Sequence, residues 1–86
     1  MKIVILYKPI SELAYSSESY AREFERQTGG TITLVDSESK EGIELAGVHD
    51  IVRQPVLLVL REDHSLVEIW QERTSWPTIS ELSAYA

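Results

Sequence analysis

Ile3-Val4-Ile5-Leu6-Tyr7 opens the chain as an unbroken apolar run rich in β-branched residues. A run this short and this uniform predicts a strand buried on both faces. Lys8-Pro9 ends it, and the spacing then changes. Leu13, Tyr20, Ala21 and Phe24 recur at helical intervals, while Glu18, Arg22, Glu23, Glu25 and Arg26 fill the other faces. This predicts a helix from Ser11 or Ser16 to Thr28, with Glu18 and Arg22 spaced for an ion pair. Gly29-Gly30 stops it, because glycine accepts the left-handed conformation of a helix C-terminus. Thr31 to Val35 reads as the second strand. Asp36-Ser37-Glu38-Ser39 is a loop and capping cluster before a weak second helix, Lys40 to His49, whose inner face would be Ile43, Ala46 and Gly47. Val56 to Arg61 is a third strand, again apolar enough to be buried on both faces. Glu62-Asp63-His64-Ser65 is the turn of a hairpin into a fourth strand, Leu66 to Gln71, with Val67 and Ile69 covering one face. Thr78-Ile79-Ser80-Glu81 has the spacing of a capping box, opening a last helix whose apolar stripe is Ile79, Leu82 and Tyr85.

The order is therefore β-α-β-α-β-β-α, without repeats, low-complexity tracts or linkers, which makes residues 1–86 one domain. A strand–helix–strand start crosses over right-handedly and makes the first two strands parallel. The tight hairpin makes the last two antiparallel. The economical solution is a mixed four-stranded sheet with helices on both faces, an α/β fold.

Composition narrows the function classes. The net charge is −6, with eight Lys and Arg scattered along the chain, so no basic patch is laid out for a nucleic acid. Apolar runs such as Val56 to Leu60 are far shorter than the ~20 residues of a membrane span. Lys2 is followed by a strand-length run with no cleavage site, so the expected location is cytoplasmic. There is no cysteine, hence no disulfide and no thiolate metal site.

That last absence acquires a meaning from its surroundings. Tyr7 stands just before Ser11-Glu12-Leu13-Ala14, Asp36 ends the second strand, and Val52-Arg53-Gln54-Pro55-Val56 leads into the third. In this arrangement the chain resembles the thioredoxin-like family over nearly its whole length, from Lys2 to Tyr85. Ser11 and Ala14 occupy the two positions of that family's Cys-x-x-Cys. Ile5 stands where its redox-active members often bury an acid. Pro55 corresponds to the family's cis-proline, and Gly30 lies near its turn into the second strand. The resemblance implies a redox-inactive member with no catalytic residues, cofactor or metal. It further implies a protein or peptide partner at Lys8, Pro9, Ile10 and Ser11 together with Arg53, Gln54, Pro55 and Val56, where relatives expose backbone groups beside the cis-proline.

Other readings compete. A regulatory, oligomerising protein similar to the circadian-clock thioredoxin-like family would also lack the redox motif, but its Pro-rich segment after the third strand is missing. A thiol-compound-binding domain similar to the N-terminal domain of glutathione transferases would carry an acidic residue and Ser after the proline. Here Val56-Leu57 follows, and the second, helical domain is missing.

Several residues have a plainer reading. Ser11 is better placed to cap the first helix than to act as a nucleophile, which would need an adjacent base. His49 could approach it from the segment before Pro55, whereas His64 sits in the distant hairpin turn. His49-Asp50 lacks further ligands at metal spacing. Trp70 and Trp76 are core residues unless they anchor a partner, Trp70 supporting the last helix. The 66–71 strand is an edge, where a second copy would pair to give a homodimer.

Overall fold

The structure, a computed structural model, describes residues 1–85. Its elements are β1 (Lys2–Tyr7), α1 (Ala14–Thr28), β2 (Ile32–Asp36), α2 (Lys40–His49), β3 (Val56–Leu60), β4 (Leu66–Trp70) and α3 (Ile79–Leu82), with 3₁₀ turns at Arg73–Ser75 and Ser83–Tyr85. The sheet order is β2-β1-β3-β4. β1 and β2 are parallel, while β1–β3 and β3–β4 are antiparallel. This is the expected thioredoxin-like arrangement.

Alternation along β1 sorts the core into two layers. Ile3, Ile5 and Tyr7 face α1 and α3, packing with Ala14, Tyr20, Ala21, Phe24, Trp76 and Leu82. Val4 and Leu6 face α2 with Val35, Val56, Leu58, Leu60 and Ile51. Every residue of β3 is buried, as its apolar run predicts.

Five local expectations change. Helix α1 starts at Ala14, with Leu13 as an N-cap that provides no side-chain bond. Ser11 is not the cap, because its Oγ donates to the Lys8 carbonyl at 2.8 Å. Glu18 does not pair with Arg22; it accepts from the Tyr7 hydroxyl at 3.0 Å, and Arg22 reaches Ser19 instead. In α2, Ile43 and Gly47 point outward and the inner face is Gly42, Leu45, Ala46 and His49. Gly42 lies so close to the Asp36 carbonyl that no side chain fits between them. In β4, Leu60 pairs with Leu66 and Val59 with Glu68, leaving Val67 bulged. The bulge turns Val67 to the α1 layer while Ile69 faces the α2 layer, so the two do not share a face.

Two expected caps are present. Ser39 accepts from the Gly42 amide, and Thr78 and Glu81 form the reciprocal box. Thr78→Ala is expected to cost about 1 kcal/mol in urea unfolding, the usual value of such a cap. The C-terminal segment is also tied to α1. Tyr20 donates to the Pro77 carbonyl at 2.9 Å, and Trp76 meets the Tyr20 ring edge-on at 5.1 Å. Arg73 stacks over both rings and donates to Ser16.

Burial pushes the Tyr20 phenol up to about 12, with Arg73 opposing and Glu81 adding to the rise. A raised folded-state value stabilises fully below the unfolded value of 10.0 and is lost as pH climbs through the folded one. Stability should therefore fall between pH 10.0 and about 12. Thermal unfolding across that range checks it: Tyr20→Phe should flatten the decline, leaving the contribution of Tyr7, whose phenol is raised by burial and by Glu18.

Candidate functional site

Leu6 pairs with Val56, so the chain leaving β1 at Lys8 and the chain entering β3 through Pro55 meet at one end of the sheet. Between Lys8 and Ser11 the backbone closes a turn, the Ser11 amide donating to the Lys8 carbonyl at 3.1 Å. The Ala14 amide then donates to Ser11, and α1 begins. The first turn of α1 contains no acidic residue and receives no side-chain cap, which leaves the positive end of its dipole uncompensated from within the helix.

The residues singled out from the sequence separate by depth. Lys8, Pro9, Ile10, Ser11 and Arg53 are exposed and Gln54 is half-buried, while Pro55 and Val56 are packed inside. The Gln54–Pro55 peptide bond is cis. Val56 therefore supports this end of the sheet from beneath and has no surface to offer a partner. Ile5, at the position expected to hold no acid, is fully buried among apolar residues.

Two residues missing from the sequence-based set, Leu13 and Val52, are also exposed and lie in the two segments that lead from β1 and into β3. Ile10 is 94% exposed and Val52 83%, and Leu13, expected on the inner face of α1, is 44% exposed. No sequence signal marked Val52 as exposed, since its equally apolar neighbour Ile51 is buried in the α2-side core. For Leu13 helical periodicity misled, because the helix starts one residue later. Three large apolar side chains thus stand in solvent in the β1–α1 loop and in the segment before β3.

The chemistry available here is limited. The Ser11 hydroxyl is committed to a backbone carbonyl. His49 lies on the α2 face of the sheet, lining a cavity with His64, and Pro55 is not part of that lining. Pro55 and His64 sit at opposite ends of β3, so neither imidazole is arranged as a base for Ser11. Among the described residues, no group of three His, Asp or Glu side chains is gathered to hold a metal ion. Nor is any described helix long and apolar enough to cross a membrane.

Trp76 is 8% exposed and forms part of the α1-side core, and Trp70 is half-buried against Tyr85 at 6.0 Å. Trp76 is therefore a core residue and not a surface anchor. No family model matches the chain, and no curated protein or solved structure matches it either.

Proposed function

We propose that this protein is a non-catalytic, thioredoxin-like binding or adaptor module that holds a protein or peptide at the Pro55 end of its sheet. The observation that carries the reading is the exposure of Ile10, Leu13 and Val52 in the two segments that flank that end. Isolated exposed apolar residues need no explanation, but grouped ones mark contact surfaces. The contact surface is Lys8 to Ser11, Leu13 and Val52 to Gln54, resting on Pro55 and Val56. Thiol–disulfide exchange is outside its chemistry, because the chain has no cysteine.

Peptides selected from a random display library provide a direct test. Their binding should perturb the amide resonances of Ile10, Leu13 and Val52. Replacing Ile10 and Val52 together by Glu should weaken binding about tenfold or more, as for loss of an apolar anchor, with an unchanged melting temperature. Selected peptides that perturb only other surfaces would sink the reading.

A further inference from the structure

On the opposite face of the sheet, Glu41, Glu44, Leu45, Val48 and His49 of α2 line a cavity of about 250 Å³ together with His64 of the β3–β4 turn. Positions 41, 44, 45 and 48 follow helical spacing, so one side of α2 forms the wall. The space suits a small molecule or a single side chain and is below the usual size of a drug-like site.

The lining specifies a chemistry. Glu41 is held by the Lys2 ammonium at 3.7 Å, whereas the exposed Glu44 carboxylate has no hydrogen bond or ion pair among the described residues. His49 Nε2 is shut off from solvent and has no hydrogen-bond partner. His64 stands at φ 70° in the hairpin turn, its amide donating to the Arg61 carbonyl at 2.9 Å, and this turn brings it to the cleft. Leu45 is half-buried and Val48 exposed, together an apolar strip. Carboxylates and neutral imidazoles are acceptors at neutral pH, and the molecule as a whole carries −6. An anion would face Glu41 and Glu44, and a metal ion would lack a third gathered ligand.

We propose that this cleft binds an alkylammonium or alkylguanidinium group, its head against the Glu44 carboxylate and its methylene stem along Leu45 and Val48. Such a group is carried by free amines and by lysine and arginine side chains.

The test is an amide chemical-shift titration at about pH 8 with butylammonium and butylguanidinium, with 1-butanol and butyrate as matched neutral and anionic probes, and with a capped Gly-Arg-Gly peptide. The cations should give saturable shifts at Glu44, Leu45, Val48 and His64, and the neutral and anionic probes should bind about tenfold more weakly or not at all. Glu44→Gln, at an exposed position, should weaken the cations about three- to tenfold. Binding by the capped peptide as well would assign the group to a protein side chain, and binding by the free cations alone to a small molecule. Equal binding of butanol, affinity unchanged in Glu44→Gln, or no saturable shift at these residues at tens of millimolar cation would each overturn the proposal.

Discussion

Gly42→Ala is expected to destabilise the protein by about 2–3 kcal/mol, although alanine is the better helix former by roughly 1 kcal/mol. A Cβ at this position would lie 2.1 Å from the Asp36 carbonyl oxygen and 2.9 Å from the Ser37 Cα. Both are backbone atoms, so no side chain can swing aside to relieve the clash. The Asp36 carbonyl also accepts from the Ser39 hydroxyl and amide, which fixes it in the capping loop. Helix and loop would have to separate, and the steric term outweighs propensity. Gly47 supplies the contrast: it lies in the same helix, exposed, and a Cβ there would have nothing within 4 Å of it. There propensity acts alone, and Gly47→Ala should stabilise by about 0.5–1 kcal/mol. Urea midpoints of the two variants should move in opposite directions. A neutral Gly42→Ala would mean that α2 is free to lift from the β2–α2 loop.

Trp76→Ala is expected to cost about 3 kcal/mol, the lower end of the range for deleting a large buried aromatic residue. The ring fills the α1-side core, meets Tyr20 edge-on and lies 4.6 Å beneath the Arg73 guanidinium. Its loss would leave a cavity under the segment that Tyr20 ties down through Pro77. The loss falls at the lower end because the indole N–H is buried without an acceptor, a cost that the substitution removes. Trp76→Phe retains much of the ring and also removes the orphaned donor, so it should lose less than half as much. Denaturant unfolding of both variants, followed by the fluorescence of Trp70, provides the measurement. If alanine is tolerated at little cost, the segment from Arg73 to Pro77 is a surface strap and not part of the core.

The order of elements was legible because each segment carries its own signal. The unbroken runs Ile3 to Tyr7 and Val56 to Leu60 became the two central strands, where both faces are covered. Ser39 and the Thr78–Glu81 box marked helix starts through bonds local to those residues. The inner face of α2 was not legible, since a ten-residue helix with two glycines has almost no periodicity to read. Its orientation follows from the contact of Gly42 with Asp36, a meeting of two segments. The bulge at Val67 was hidden for a similar reason: register belongs to a pair of strands and not to one. In the candidate site, Lys8 to Ser11 and Arg53 to Val56 were singled out through the family resemblance, and they lie where the chain leaves β1 and enters β3. The exposure of Leu13 and Val52 was not legible, because it depends on where the helix begins and on how the loop leaves α2.

By itself the sequence determined the strand and helix order, the mixed sheet that follows from it, and the exclusion of thiol chemistry. These depend on short-range patterning and on which side chains exist at all. The tertiary structure decided which apolar residues remain in solvent at the Pro55 end, that Trp76 is core, and that His49 lines a cleft with His64 instead of approaching Ser11. Each of these joins residues distant in the chain, and only packing of the two layers about the sheet brings them together or holds them apart.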